Sequence, residues 1–528
     1  MNENNNYNIP KEKFEFANLG DKLHDQKFED KPISYFKDAW IRFRKNKASI
    51  AAAIIIIFIV LFSVFMPLFN SRYDASFIDP FYAKKGPRVS WLSKYDIMCG
   101  GTSRTASERG LFWVIATGVG AEQTREVLEK GEKVTVKDGN ESFYTPLVKY
   151  KEAGTGLDGK LRYDIKIDAY LEVGFISMAV TQDEYRKIAA WEEETGIQVL
   201  YPLIADNEYT YHPLNETNAN YWYKTNAKGD PIRIDEDGDA KKISLKDSAV
   251  LEDNYKRDAE GNPLYYEYTG GGSTETAQFK IRVLYYNYYQ YVNGFEPNYI
   301  FGTDSQGYDL ALRMADGIKL SLMVSVLVSA INFVIGAIYG AVAGYYGGIV
   351  DLTMERITDI LAGIPSIVVM TLFQMHLAQK VGVIPSLLFA FILTGWIGMS
   401  SRVRTQFYRF KNQEYVMAAR TLGARDRRII WKHIFPNTLG TIITGSVLAI
   451  PGVIFSESML SFLGIVNLGG SKITSLGTLL SDASSIWTNY PHLMLFPAIV
   501  IALLMVCFNL FGNGLRDAFN PSLRGVED

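Results

Sequence analysis

Apolar residues concentrate in six runs along this chain, separated by polar sequence. Ile50–Phe69 is almost uninterrupted apolar sequence. As a helix it is long enough to cross a hydrocarbon layer of ~30 Å. Further candidate spans near the ~20-residue crossing length fall at about 319–344, 356–378, 384–400, 438–460 and 493–513. An even number of crossings places both termini on one side. A cleaved signal peptide explains the first run poorly, because a long polar tail precedes it and no small-residue cleavage site follows. Just before it, Phe36, Ala39, Trp40 and Phe43 recur at helical spacing among Lys37, Asp38, Arg42 and Arg44. That pattern predicts an amphipathic helix lying in the membrane plane. An ordinary basic flank with an interfacial Trp is the competing reading. Residues 1–30, with their Asn run, read as disordered.

Between the first and second runs the pattern changes to mixed polar sequence. Roughly 240 residues there are too many for a structureless loop, so a folded insert is expected. Lys160–Ala169 alternates like a strand, as does Phe279–Val292, whereas Gln182–Thr195 has a helical polar face. Lys228–Pro231, Asp237–Asp239 and Gly270–Gly272 carry turn or linker signals. The expectation is an inserted α+β domain over 70–312. Asp235, Asp237 and Asp239 invite a calcium reading, but no distal Glu completes the loop pattern, and a solvated acidic loop is the better account. Tyr285, Tyr286, Tyr288, Tyr289 and Tyr291 could line a peptide-binding face, although a tyrosine-rich strand near the membrane explains them more simply.

Charge separates these regions further. The chain holds 54 Lys/Arg and 57 Asp/Glu, a net charge of −3. Residues 70–310 carry about 28 bases and 38 acids, leaving an excess of about seven positive charges elsewhere. Arg42, Arg44, Lys45 and Lys47 precede the first span, and residues 401–437 hold nine bases against two acids. The 464–491 connection has only Lys472 as a base. By the positive-inside rule both termini and the basic loop are cytoplasmic, and 70–312 lies outside. Cys99 and Cys507, one in the polar block and one in an apolar span, identify no redox compartment.

The basic loop contains residues 414–436, EYVMAARTLGARDRRIIWKHIFP. Asn412 is positioned to cap a helix whose first turn holds Glu414, where a carboxylate favours the positive dipole end. Ala418 and Ala419 favour the helix and leave room for another backbone. Gly423 can supply the left-handed residue that ends it. Arg425, Arg427, Arg428 and Lys432 make a second helix cationic, and Pro436 is expected to stop it. On charge alone this is a solvated basic loop. Elsewhere, Gly336, Gly340, Gly344 and Gly347-Gly348 have the spacing of close helix packing. Asp351, Glu355 and Asp359 read as helix-start charges and inter-subunit contacts rather than a proton relay. Glu457, ~29 Å along the fifth span, would sit near the outer face, either lining a substrate mouth or simply wet; the second reading is the simpler. Pro451-Gly452 is expected to kink or interrupt that span.

Glu414, Ala418-Ala419, Gly423 and Ile434-Phe435-Pro436 resemble the EAA loop of ABC importer permeases. The likeness continues in Trp40–Lys47, in Phe301–Asp304 with Arg313, Gly317 and Ser321-Leu322, and in Gly344–Gly348 with Asp351, Arg356, Asp359 and Pro365. Glu457 with Ser458–Gly464 and Asn509–Pro521 complete it. The whole resembles the C-type permease of oligopeptide and dipeptide importers over about 250 residues. Tyr308, where the family usually has Arg, and Asn513, where it has Asp, depart from the pattern, and 466–478 lacks the usual Pro and Trp.

The resemblance implies a mainly α, polytopic membrane protein of the type I ABC importer kind, with about six transmembrane helices plus the inserted α+β extracytoplasmic domain. Its expected parts are a tail and interfacial helix (1–47), a first span (48–69) and the insert (70–312). A five-span permease core (313–519) containing coupling loop 402–436 follows, then a second tail (520–528). It also implies a second homologous permease, two ABC ATPases, an extracytoplasmic peptide-binding (lipo)protein and a bacterial plasma membrane. The implied site residues are Glu414, Ala418, Ala419, Gly423, Ile434 and Pro436 for ATPase coupling, with Glu457 at the path or mouth. No catalytic residue, cofactor, metal or nucleic acid is expected. The sequence has no G-x-x-x-x-G-K-[ST], H-E-x-x-H or G-x-S-x-G, and its five histidines do not fall at ligand spacings. A nickel or other small-solute permease is the nearest alternative, and a membrane-anchored ectoenzyme the remote one.

Overall fold

The computed structural model describes residues 35–69, 76–93, 97–116, 146–205, 253–271, 278–466 and 474–519, apart from single positions, together with a few short segments between them. The N-terminal tail, the 228–231 turn and the Asp235–Asp239 acidic run of the sequence analysis lie outside the described residues.

Helix α1 (Tyr35–Lys45) leads into α2 (Lys47–Phe69), the first span. The apolar face of α1 is covered by protein: Ala39 and Phe43 are buried with Ala518 against Phe511 and Leu515 near the C-terminal end of the last span. Ala39 and Phe43 of the amphipathic face thus pack on that helix, while Trp40 of the same face, stacked on Phe43 with ring centroids 5.9 Å apart, stays exposed.

The insert follows. Strands β1 (Thr102–Ser107), β2 (Leu147–Thr155) and β3 (Leu161–Ile167) form an antiparallel sheet in the order β1-β3-β2. Short helix α3 (Ser90–Ser93) precedes it, and α4 (Glu108–Ala116) covers one face, Leu111, Val114 and Ile115 packing on Tyr163, Ile165 and Ile167. A second sheet has the order β4-β10-β5, with β9 also paired to β10. Its strands are β4 (Phe175–Thr181), β5 (Leu200–Tyr201), β9 (Tyr266–Gly270) and β10 (Gln278–Leu284). Two-residue strands β6 (Arg233–Ile234), β7 (Ala240–Lys241) and β8 (Val250–Leu251) pair among themselves. Helix α5 (Gln182–Thr195) has the predicted bounds, capped by Thr181 at one end and left-handed Gly196 at the other.

The expected strand through the tyrosines ends at Leu284, and Tyr285–Asn293 is instead helix α6. The physical reason lies in the spacing: Tyr285, Tyr286 and Tyr289 stand at i, i+1 and i+4, one helical face, and that face is buried. It is a core rather than an open peptide-binding face. Tyr289 Oη donates to Tyr73 Oη at 2.7 Å and meets Tyr299 Oη at 3.2 Å, and Tyr285 Oη donates to Asp79 Oδ1 at 2.7 Å. Burial pushes the Tyr73 phenol up to about 12 and raises the Asp79 carboxyl as well. Buried Arg88 pairs with Asp168 and donates to Tyr286 Oη at 2.9 Å. This core also takes in Leu312, and Met66 of α2 packs against it, so the insert is continuous with the first two spans.

The membrane core starts with α7 (Leu310–Tyr346), begun by Asp309, whose side chain accepts from Ala311 N at 2.8 Å. Its 37 residues would reach ~55 Å, well beyond a hydrocarbon layer. Helices α8 (Gly348–Ala362) and α9 (Ser366–His376) are bent by 69° and count as one broken span. Helices α10 (Val383–Gly395) and α11 (Ile397–Phe410) make the next. After α12 (Glu414–Thr421) come α13 (Asp426–Phe462), α14 (Leu476–Ala483) and α15 (Pro491–Phe519). Five helices are long and apolar enough to cross a membrane, or six with the bent pair, among the described residues. The predicted glycine contact is present at Gly336, Gly340 and Gly344, whereas Gly347 and Gly348, at φ +66 and +56, turn the chain from α7 into α8 instead of packing helices. A Cβ on Gly336 would lie 2.7 Å from Met399 Cβ, on Gly340 2.3 Å from Ser400 O, and on Gly344 2.7 Å from Phe407 Cβ. Only hydrogen at these positions lets α7 and α11 meet.

Candidate functional site: the 414–436 segment

Helix α12 begins at Glu414 with Gln413, not Asn412, in the N-cap position, and no side chain caps it. Glu414 is exposed in the first turn, as expected. At the other end Leu422 N donates to Ala418 O, Gly423 N to Arg420 O and Ala424 N to Ala419 O, each at 3.0 Å. Gly423 adopts φ +80, the left-handed conformation that turns the chain into the next helix. No atom lies within 4 Å of where its Cβ would be. The requirement for glycine there is therefore purely conformational.

The second helix does not stop at Pro436. Asp426–Phe462 continues from the loop into the span. Pro436 lies in the first turn of its α-helical part, where a missing N–H is tolerated. The turn before it, Ile429–Ile434, is widened to π geometry, Phe435 N donating to Ile430 O. The same reasoning locates the second interruption: α-helix ends at Val447 and resumes at Ile450, one turn around Pro451.

One side of the segment is fixed to the permease core. Val416, Ile429, Ile430 and Ile434 are buried with Val403, Phe407 and Tyr345. Tyr345 Oη donates to Asp426 Oδ1 at 2.6 Å. Beneath it, Arg404 grips Asp351 through two bonds of 2.6 and 2.7 Å, Tyr408 Oη donates to the same carboxylate at 2.6 Å, and Glu355 lies 3.3 Å from Arg404. The acids read as helix-start charges thus have partners within this chain, with Asp359 pairing Arg356. Lys411 Nζ donates to Gly344 O at 3.0 Å. The other side is open. Leu422 is 88% and Met417 58% exposed, and Ala418 and Pro436 are also exposed. Ala419 is half-buried and Ile434 fully buried. Burial raises the Tyr415 phenol, opposed by its bond from Asn437 Nδ2 at 3.2 Å. Sequence reasoning missed Met417 and Leu422 as exposed apolar groups, and missed the clamp in which Asp351 lies more than 50 positions from its partners Arg404 and Tyr408.

Glu457 is not part of this group, lying about 31 Å beyond Pro436 along α13. It is not wet. At 1% exposure it accepts from Ser321 Oγ at 2.9 Å, Ser461 Oγ at 3.1 Å and Ser458 Oγ at 3.4 Å. Ser475, the N-cap of α14, also bonds to it, so a helix N-terminus adds to its stabilisation. Added Cβ atoms on Gly477 and Gly317 would strike Ser458 and the 475–476 backbone, so the elements around the carboxylate are tightly apposed.

Residues 336–525 match the model of the binding-protein-dependent transport system inner membrane component, and 34–87 that of the N-terminal transmembrane domain of oligopeptide transport permease C. The oligopeptide transport system permease protein OppC of Bacillus subtilis is 39% identical over 225 residues, 42% of this chain and 72% of that protein. The dipeptide transport system permease protein DppC of the same organism is 43% identical over 226 residues, 42% of this chain and 69% of its own. OppC of Escherichia coli is 42% identical over 231 residues, 43% and 74% of the two chains.

Proposed function

Because the chain belongs to the C-type permease family of oligopeptide and dipeptide transport systems, we propose that it is the membrane subunit through which an ATPase drives peptide import. The observation that carries this reading is the two-sided 414–436 segment. Its inner side is buried in α7 and α11 and its outer side offers Met417 and Leu422 to a partner. Two ATPases, of which one docks here, hydrolyse ATP; this chain and a second homologous permease enclose the path. Because α13 runs from Asp426 to Phe462 as one span, interrupted only at 448–449, a single element links the segment to the Glu457 end. ATP binding inside and delivery by the external binding protein are then coupled free energies. Both termini and 402–436 lie in the cytoplasm and residues 70–312 outside, supported by the Lys/Arg distribution.

The test uses the complete complex in proteoliposomes with its binding protein. ATP-dependent accumulation of labelled di- or oligopeptides is expected, and uptake of nickel without peptide would contradict the reading. For topology, single cysteines replacing Gly271 and Asn412 are treated on intact cells with an impermeant thiol reagent. Gly271→Cys labels and Asn412→Cys does not; the reverse overturns the orientation and the import mechanism with it.

A further inference from the structure

The spans do not all present the same outer surface. Along α2, Ile54, Ile57, Phe58, Leu61 and Leu68 stand exposed, as contact with hydrocarbon requires. Where α11 lies against α13 the surface changes. No large apolar side chain is exposed between Leu393 and Tyr408, or between Trp431 and Phe455. The exposed side chains there include Ser401, Arg402 and Thr405 of α11 and Asn437 and Thr441 of α13. Such a face is turned to water or protein rather than to lipid.

Arg402 is held on this face by the interruption in α13. Ala449 N donates to Ser446 O at 3.1 Å, so the Gly445 carbonyl that an unbroken helix would engage is released. Arg402 Nη1 donates to it at 3.1 Å, and Ser329 Oγ of α7 donates to Ser446 O at 2.8 Å. A Cβ on Gly445 would lie 2.8 Å from Nη1, so only glycine admits this approach. Among the described residues no carboxylate pairs with the rest of the guanidinium. Its neighbour Arg404 is by contrast engaged by Asp351, Glu355 and Tyr408. Arg402 lies inside the span Val383–Phe410. A charge within a span that lacks a counterion marks a pathway along which one arrives.

We infer that this face lines the translocation path and that Arg402 receives the terminal carboxylate of the peptide in transit. The inference rests on the peptide-import reading above. Every peptide with a free C-terminus carries that carboxylate whatever its side chains, so one guanidinium serves many sequences. With one N–H fixed on Gly445 O, the planar group is oriented and still offers donors to a carboxylate. Because the guanidinium is exposed, water screens the pair and the peptide can leave again.

The experiment uses the complete complex in nanodiscs, where both faces meet solution, with Thr405→Cys one helical turn from Arg402. Buried Cys99 and Cys507 are replaced by Ala, and the same chain without Thr405→Cys gives the background from other subunits. The rate of modification by an anionic methanethiosulfonate is measured alone, with a millimolar free-acid tripeptide, and with its C-terminal amide. The reagent is expected to react, the free acid to slow it several-fold, and the amide to leave it unchanged. Arg402→Gln should abolish the protection and Arg402→Lys should keep part of it. No reaction overturns the inference, since lipid or the second permease then covers the face. Equal slowing by acid and amide, or protection that survives Arg402→Gln, also overturns it. Should the Gln variant fail to assemble, the acid–amide comparison with Arg402 intact decides alone. Peptide uptake by the same complex in proteoliposomes tests the import reading separately. Uptake without acid-specific protection removes only the role of Arg402; no uptake removes the reading and this inference with it.

Discussion

The membrane core and the insert solve the same packing problem with opposite materials. Between α7 and α11 the close contact is made by Gly336, Gly340 and Gly344, with their partners Met399, Ser400 and Phe407 on one facing helix. In the insert it is made by large rings, Tyr73, Tyr82, Tyr170, Tyr285, Tyr289 and Tyr299; the hydroxyls of all but Tyr82 bond one another or nearby polar groups inside the core. Lipid offers no hydrophobic drive between helices, so the core depends on backbone proximity and a few polar clamps. The insert, with water available on its outer surface, can use apolar burial and satisfied buried hydroxyls. Exposure teaches a second contrast. Met417 and Leu422 stand exposed on one side of the 414–436 segment, while Val416, Ile429 and Ile434 on its other side are buried in the permease core.

The contrast can be broken most severely at Gly340. A Gly340→Leu side chain would collide with backbone, Ser400 O lying 2.3 Å from the Cβ position. The expected outcome is loss of the assembled complex, measured by size-exclusion after detergent extraction, while insertion into the membrane persists. Next is Asp168→Ala, which leaves Arg88 buried without its carboxylate. Breaking a buried pair in this way costs about 3–5 kcal/mol. It should expose the insert to limited proteolysis without dissociating the membrane core. The smallest effect is that of Tyr289→Phe, which removes the hydroxyl between Tyr73 and Tyr299. A loss of about 1 kcal/mol is expected, read as a small shift in the proteolysis midpoint. Equal sensitivity of the membrane core to all three would erase the distinction.

The two regions are also unequally legible in the sequence. The spans announce themselves because crossing a bilayer demands long apolar runs, and Gly423 is legible because few residues hold φ +80 without strain. The misreadings share a cause: the deciding partner is distant in the chain. Glu457 looks wet in the sequence because Ser321 and Ser475, which reach it from other elements, cannot be aligned with it by eye. The tyrosine run looks like a strand because Phe279 to Leu284 is one, and the change of period at Tyr285 falls among residues of the same kind. Pro436 reads as a stop because the residue itself is identical at either end of a helix; only the apolar run from Thr438 onward distinguishes a beginning from an end.

The central claim is that the left-handed turn at Gly423 sets the angle between α12 and α13 and that this angle transmits ATPase movement. The space around it is empty, so a substitution there acts through backbone conformation alone. Holding an ordinary residue in left-handed backbone costs about 1–2 kcal/mol, and β-branching makes it worse, whereas Asn tolerates it. The decisive measurement is peptide uptake per ATP hydrolysed by the complete complex in proteoliposomes carrying Gly423→Val or Gly423→Asn. The account predicts that both variants assemble with the ATPases, that Val lowers uptake per ATP at least tenfold, and that Asn retains most of it. Uptake by the Val variant at the wild-type ratio would contradict it.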